Sequence, residues 1–255
     1  MRTTLARSAA LAFGLLLASV SPALAVSTAI GTISFQMEVT DELGGLLGTW
    51  SPASVAITQD PLDDDVYTVG DGAWSNANYG IEWDDVSFDV DPGVSGNWAV
   101  TNNSLVAQIF TLSVTVPVLP VAPSSLMFGS STISVSDANF DGSASLASVA
   151  GLPVYVGEID LVGVPATALF AAPYLLSAPP GGTIGDTESF GVFPGSVPGP
   201  GVSSTIGITH RFLLSAGDRA TFNSTFFLVA IPEPGTLALA AAGMAGLGLV
   251  GRRRS

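Results

Sequence analysis

Apolar and polar residues alternate with a period of two along several separate stretches of this chain. The apolar positions of the three clearest stretches are Ile33, Phe35, Met37 and Val39; Phe110, Leu112, Val114 and Val116; and Ile206, Ile208, His210 and Phe212. Successive side chains of a β-strand point to opposite faces of its sheet. This alternation therefore predicts strands that each have one buried face.

Turn-forming residues separate these runs, and no amphipathic period of 3.6 stands out between residues 26 and 230. The 29 glycines and 17 prolines favour short strands joined by turns. We predict that residues 26–230 form one all-β domain, an antiparallel β-sandwich, with a jelly roll or a β-barrel as the alternative. Segments 117–123 and 194–201 are rich in proline and are predicted to be surface connections, the second without any strand.

The first 25 residues have the pattern of a secretory signal peptide. Arg2 and Arg7 precede an apolar run over residues 9–20, and Ala23 and Ala25 are the small residues that signal peptidase accepts. We predict that the mature chain begins directly after the second of these alanines. An uncleaved N-terminal anchor is the alternative.

The last 25 residues, 231–255, have three parts. Pro232, Glu233 and Pro234 form an extended, accessible segment, because proline restricts φ and removes a backbone donor. Residues 236–251 carry no charge and are mostly Ala, Leu and Gly, which predicts a short transmembrane helix. The arginines that follow stay on the cytoplasmic side, so the body is expected outside. They are Arg252, Arg253 and Arg254.

This tripartite tail resembles the PEP-CTERM sorting tail of exosortase substrates. The resemblance implies that a membrane-embedded cysteine transpeptidase or protease, the exosortase, recognises Pro232, Glu233 and Pro234, removes the tail, and releases or re-anchors the protein. Exosortase and signal peptidase are then the partners in export across the inner membrane, and the C-terminal helix touches the membrane only transiently. An ordinary C-terminal membrane anchor is the alternative interpretation of the tail.

Without its two ends, the chain is strongly acidic. Residues 26–231 contain 20 Asp and Glu residues against two arginines, a net charge of −18, whereas the whole chain carries −14. A body with this charge repels nucleic acid and attracts cations. It has no cysteine, which excludes disulfides, thiolate metal sites and cysteine nucleophiles.

The acidic residues between positions 60 and 91 form two clusters, with Asp71 and Trp74 between them. Crowded carboxylates without basic neighbours are either screened by solvent or bridged by a hard cation, so a soluble acidic face and a calcium site are both consistent with the pattern. The first cluster is Asp60, Asp63, Asp64 and Asp65, and the second is Glu82, Asp84, Asp85, Asp89 and Asp91.

A more specific calcium motif lies further along the chain. Asp137, Asn139 and Asp141 are followed by Gly142, which matches the first half of a calcium loop with oxygen ligands on alternate positions. The carboxylate expected at position twelve is replaced by Ser148, so a complete EF-hand is not predicted. Short Asp, Asn and Gly segments also form ordinary β-turns, which is the alternative.

His210 is the single histidine, and its parity in the predicted strand points it into the core. No nucleophile motif accompanies it, so we predict a structural role and no enzyme activity. A pair of acids could hydrolyse a glycoside only at a separation of roughly 5 to 9.5 Å, which sequence does not give.

All four tryptophans lie near the acidic clusters, where exposed rings could stack on sugars, but we expect at least two of them in the core.

The sequence therefore predicts an exported, non-catalytic β-protein of the cell surface or the extracellular matrix. PEP-CTERM systems typically accompany exopolysaccharide production, so the resemblance implies a structural role in a biofilm matrix. The alternative is a β-sandwich module that binds calcium or carbohydrate, and an extracellular hydrolase is the weakest hypothesis. No resident cofactor is predicted apart from calcium at Asp137, Asn139 and Asp141.

Overall fold

A computed structural model describes residues 34–51, 57–90, 92–118, 123–160, 165–191 and 196–231. These residues contain strands and connections, and none of them forms a helix that could cross a membrane. The prediction of an all-β body is therefore confirmed. The predicted signal peptide, Ile33 of the first predicted strand and the segment from Pro232 onward lie outside the described residues.

The strands are numbered in chain order. They are β1 Ser34–Thr40, β2 Leu46–Trp50, β3 Ile57–Asp60, β4 Asp63–Val69, β5 Gly72–Ser75, β6 Tyr79–Asp89, β7 Gly93–Asn102, β8 Gln108–Pro117, β9 Ser125–Ser136, β10 Ala144–Ser148, β11 Tyr155–Ile159, β12 Pro165–Leu169, β13 Leu175–Ala178, β14 Thr183–Phe190, β15 Val197–Gly199, β16 Thr205–Leu214 and β17 Arg219–Ala230.

The strands form two antiparallel sheets. The first has the order β12-β11-β16-β8-β1-β2, with β10 paired to β16 and to β13. The second has the order β14-β9-β17-β7-β6-β4-β3, with β15 paired to β9 and β5 to β6. Sequence neighbours such as β16 and β17 lie in different sheets, so their connections cross from one sheet to the other.

One apolar core, shared by both sheets, holds the fold together. The alternation predicted for β1, β8 and β16 is confirmed, because the predicted inward positions on these strands are buried. Antiparallel pairing aligns them, for example Met37 opposite Leu112 and His210 opposite Leu112 on the other side. The largest fully buried side chains include Trp98, Tyr155, Phe88, Phe110, Phe170, Phe212, Phe222 and Phe226.

The prediction that segment 194–201 contains no strand is wrong. Val197–Gly199 forms the short strand β15, which pairs with Ser125 to Met127 at the end of β9. In the described residues β15 pairs with β9 alone, and proline is tolerated on such an edge strand because its missing N–H faces away from the ladder. Pro198 therefore fits the strand.

A β-bulge in β6 determines what the outer face of the second sheet displays. The pairing of β6 with β7 shifts register between Asp84 and Ser87, and Asp85 adopts a positive φ of 50°. The extra residue of a bulge shifts the alternation of inward and outward side chains by one position. Apolar residues before and after the bulge therefore both point into the core. As a result Glu82, Asp84 and Asp85 are all exposed.

Four connections cross between the sheets at one end of the molecule in the described residues: 103–107, 137–143, 179–182 and 215–218. Hydrogen bonds join them. The Asn102 side chain donates to the carbonyls of Leu214 and Ser215 at 3.0 Å, and the backbone N–H of Asn102 donates to the Asp218 carbonyl. We call this region the crossover end.

Asp160 fastens the end of β11 to the start of β16. Its carboxylate accepts hydrogen bonds from the backbone N–H groups of Ser203, Ser204 and Thr205 at 2.7 to 3.2 Å, and from both serine hydroxyls. Burial alone would raise the pKa of Asp160, but these hydrogen bonds outweigh it and lower the pKa to about 2. The ionised carboxylate therefore stabilises the fold.

Replacing Asp160 with Asn should lower the free energy of unfolding at pH 7 by about 2 kcal/mol, because several donors lose a charged acceptor. The folded pKa lies below the unfolded value of about 4, so this contribution is complete above pH 4 and disappears as the pH falls toward 2. Urea denaturation at pH 7 and pH 3 measures it. Asp64→Asn, which removes an exposed carboxylate, is the matched control, and an equal effect of both substitutions would contradict the assignment.

Candidate functional site

The outer face of the second sheet carries a cleft of about 330 Å³ that we call the acidic cleft. Three carboxylates line it, together with one guanidinium and neutral hydrogen-bonding side chains. Such a mixture is typical of sites that bind polar ligands. The polar lining residues are Asp71, Glu82, Asp84, Asn97, Arg219 and Thr221.

The strand register places these side chains on one face. Asp84 pairs with Asn97 across β6 and β7, while Ala99 lies between Glu82 and Thr221 in the ladder. Residues directly opposite each other point to the same side of a sheet, so β6, β7 and β17 form the floor. Asp71 reaches the cleft from just before β5.

Two electrostatic contacts organise the acidic cleft. Arg219 donates from Nη1 to Oε1 of Glu82 at 3.0 Å and from Nη2 to Oε2 at 2.6 Å, a bidentate pair. Both side chains remain substantially exposed, so the pair fixes position more than it adds stability. A hydrogen bond with the Asp71 carboxyl raises the pKa of Asp84, and the charges of Asp71 and Asp85 raise it further.

The two acidic clusters predicted from sequence have different roles. In the first, Asp60 accepts a hydrogen bond from the N–H of Leu62 at 2.8 Å, and Asp63 accepts one from Asp65 at 3.1 Å. These carboxylates therefore shape the hairpin between β3 and β4. In the second cluster, Glu82 and Asp84 enter the acidic cleft with Asp71. Asp91 lies outside the described residues.

Sequence reasoning missed the partners that the acidic cleft draws from distant strands. Asn97, Arg219 and Thr221 come from β7 and β17, and no local motif marks them. Only the strand order, which no local pattern specifies, could have identified them. Within the described residues, no three histidine or acidic side chains converge as a ready-made metal site.

The tryptophans point mainly into the protein. Trp50 and Trp98 are buried, which confirms the expectation of at least two in the core. Trp83 packs with Trp50 at a ring distance of 5.2 Å, and its Nε1 donates to the Gly70 carbonyl at 2.8 Å. Trp74 is 37% exposed, so ring stacking on a ligand would depend chiefly on that residue.

The calcium motif forms a loop at the crossover end, which we call the Asp137 loop, residues 137–142. Asp137 is buried and its Oδ2 accepts the N–H of Gly181 at 2.8 Å, a contact that lowers the pKa of Asp137. Asn139 Nδ2 donates to Asp141 Oδ2 at 2.9 Å, and the Asp141 N–H donates to Asn139 Oδ1 at 3.0 Å. Asn139 and Asp141 therefore contact each other directly.

Asp218, which the sequence analysis did not single out, lies against this loop. It is fully buried, it accepts a hydrogen bond from the Ser215 hydroxyl, and the backbone N–H of Ala138 also donates to its carboxylate. Burial raises the pKa of Asp218, and the charges of Asp137 and Asp141 raise it further. Three carboxylates thus share this end of the molecule.

His210 points into the core, as predicted. Its Nε2 lies 3.1 Å from the Ser224 hydroxyl, and its ring packs against Trp98, Tyr155 and Phe222. Burial lowers the pKa of His210 to about 3, so the ring is neutral at physiological pH. Its inward position supports packing as the role of this residue.

A comparison with protein-family models matches residues 230–254 to the PEP-CTERM protein-sorting motif. The resemblance noted in the sequence is therefore confirmed, and the chain carries an exosortase sorting signal at its C-terminal end. No curated protein matches the sequence. The match includes Pro232, Glu233 and Pro234 and the arginines up to Arg254, which lie outside the described residues together with Ala23 and Ala25 of the predicted signal peptide.

Replacing His210 with Phe should make the protein less sensitive to acid. The unfolded chain protonates this histidine below about pH 6.5, whereas the folded protein keeps it neutral until about pH 3. As the pH falls through that window, proton binding to this histidine in the unfolded chain lowers the unfolding free energy of the wild-type protein by up to about 1.4 kcal/mol per pH unit. The variant lacks this contribution. Urea denaturation at pH 7, 5.5 and 4 measures the difference.

Tyr155→Phe is the matched control, since it removes a polar atom from the same buried cluster without removing a group that titrates in this window. Its pH dependence should follow that of the wild-type protein. Parallel stability curves for the wild-type protein and the His210→Phe variant would contradict the prediction.

Proposed function

We propose that this chain, which carries the PEP-CTERM sorting motif, is a structural protein of the cell surface or extracellular matrix. The observation that carries the proposal is the sorting motif at residues 230–254, which marks an exported substrate of an exosortase. In the proposed role the protein works without catalysis and associates with exopolysaccharide in a biofilm matrix. The N-terminal signal directs the chain into export and is cleaved after Ala25, and recognition of Pro232, Glu233 and Pro234 completes sorting.

The properties of the body agree with a place outside the cell. Its two antiparallel sheets share one apolar core and the chain has no cysteine, so the fold does not depend on oxidation or reduction. Its net charge of −18 favours solubility and repels polyanions that lack a bridging cation. A compact acidic β-body suits a matrix component that contacts neutral polymers or cations.

A second function is favoured by the acidic cleft. Asp84, Asn97 and Thr221 offer carboxylate, amide and hydroxyl groups side by side, and these groups can hydrogen-bond the hydroxyls of a sugar. The Glu82–Arg219 pair fixes one wall at 2.6 to 3.0 Å. We propose that polysaccharide contacts the body here, through hydrogen bonds more than through ring stacking.

The hydrolase hypothesis gains little from the same cleft. Asp71 and Asp84 are hydrogen-bonded to each other. Glycosidase carboxylates stand roughly 5 to 9.5 Å apart so that they can flank the scissile bond. This pair does not have that spacing, and binding is the better proposal for the acidic cleft.

The sorting proposal is tested by replacing Glu233 with Ala in cells that make the exosortase. We expect the variant to keep its tail and to accumulate in the membrane fraction, because the recognised tripeptide has lost its only charge. Immunoblots of cell fractions and mass spectrometry of the C-terminal peptide measure both effects. Glu42→Ala, at an exposed position of the body, is the control, and normal processing of Glu233→Ala would show the assignment to be wrong.

The polysaccharide proposal is tested by affinity electrophoresis in gels that contain exopolysaccharide from the producing cells, with alginate as an anionic comparison. Asp84→Ala and Asn97→Ala should each weaken retardation by about tenfold, since each removes hydrogen bonds worth roughly 1.4 kcal/mol. Asn223→Ala, an exposed position on the outer face of the same sheet and not among the cleft-lining residues, should leave it unchanged. Equal retardation of all four proteins, or no retardation of the wild-type protein, would rule out the acidic cleft.

A further inference from the structure

We propose that the exosortase binds an extended segment that begins at Val229, inside the last strand of the body, so that the end of β17 leaves β9 before the tail is removed. The inference rests on the proposed sorting route and adds a step to it. The Pro-Glu-Pro tripeptide begins at Pro232, directly after Ile231. Ile231 is still hydrogen-bonded to the body, because its N–H donates to the Ser124 carbonyl at 3.1 Å.

Little chain separates the body from the predicted transmembrane helix. β17 ends at Ala230, and the uncharged apolar segment begins at residue 236. The residues between them, 231–235, reach at most about 18 Å when fully extended. A membrane-embedded enzyme that holds the tripeptide therefore works directly against the body, and the residues that it meets upstream of Pro232 are Ile231 and the end of β17.

The end of β17 has the side-chain pattern of a peptide that is bound as an extended strand. Such peptides are held through main-chain hydrogen bonds and through pockets for alternate side chains. Val229 and Ile231 are two positions apart, and their apolar side chains are 43% and 37% exposed. In the folded body one edge of this segment is occupied, since Val229 pairs with Leu126 and Ala230 with Ser125. An active-site cleft that surrounds its peptide needs that edge free.

This segment is held more weakly than the rest of β17. β7 pairs with β17 from Arg219 to Phe227, and beyond Leu228 the neighbour of β17 in the described part of the chain is β9 alone. Val229 and Ala230 are exposed, whereas Leu228 is buried. A strand end with one neighbour and little burial opens more easily than the core. Release therefore stops at Leu228 and frees residues up to the tripeptide, about 10 Å of chain.

β9 keeps its own place when the end of β17 leaves. On its other side the same part of β9 pairs with β15, for example Leu126 with Pro198. Just before the point of release, Phe227 stacks on Phe128 of β9 at a ring distance of 5.3 Å. The opening is therefore local, and the two sheets and their shared core stay folded.

The test links the end of β17 to β9 with an engineered disulfide and follows removal of the tail. Val229→Cys and Leu126→Cys place two cysteines directly opposite each other, at a Cα separation that a disulfide spans, and the chain has no cysteine of its own. The bond forms in the oxidising compartment that the exported chain enters.

Pulse–chase labelling in cells that make the exosortase measures the rate of tail removal. We expect the linked chain to lose its signal peptide at the normal rate and its tail at least about tenfold more slowly, because processing that requires local opening stops when opening is prevented. A reductant should restore the rate.

Asn223→Cys with Thr132→Cys is the matched control, because this exposed pair links the same two strands in the middle of their ladder. It should leave tail removal unchanged. A further variant adds Gly-Ser-Gly-Ser-Val-Ala-Ile between Ile231 and Pro232 of the linked chain. The insertion repeats the apolar segment beyond the disulfide, so it should restore tail removal without a reductant.

The possible results decide between the alternatives. Tail removal at the wild-type rate from the chain linked at Val229, or equal slowing by the control disulfide, would overturn the proposal. Slow removal that neither the reductant nor the insertion restores would also overturn it, since the disulfide would then act on folding or export. A wild-type chain that keeps its tail in these cells would contradict the sorting assignment itself, and this proposal with it.

Discussion

Backbone N–H groups are the main counter-charge in this protein, and much of its local structure depends on that constraint. The body has 20 acidic residues and only two arginines, so most carboxylates have no basic side chain to pair with. They accept hydrogen bonds from the main chain instead, mostly where the chain turns or a strand ends and N–H groups are free. Carboxylates held in this way include Asp41, Asp60, Asp63, Asp137, Asp160, Asp186 and Glu188.

The same constraint separates structural acids from candidate functional ones. Where N–H donors suffice, as at Asp160, their hydrogen bonds lower the pKa of the carboxyl and hold the neighbouring strand in place. Where they do not, the pKa rises: a hydrogen bond with the Asp71 carboxyl raises the pKa of Asp84, burial raises that of Asp218, and neighbouring charges add to both shifts. A crowded acidic sequence is therefore a poor guide to function by itself. The donors that surround each carboxylate decide between the two cases.

Local pattern was sufficient for strands and faces, and insufficient wherever distant segments meet. The period of two predicted the buried faces of β1, β8 and β16, including the inward direction of His210, because alternation is a property of one strand. It failed for β15, whose three residues are held by pairing with β9 despite their turn-forming composition. The sequence did not indicate a role for Asp218 for a related reason. The turn that carries it contacts the Asp137 loop through Ala216 and Asn139, which are 77 residues apart in the sequence.

Export and the chemistry of the body are connected through the supply of cations. A sorting motif at residues 230–254 directs the protein beyond the cytoplasm, and the body that it directs has carboxylates in excess of its own basic groups. Carboxylates without a basic partner repel one another, and cations in the surrounding solution screen or bridge them. The stability of the exported body therefore depends on the ions around it.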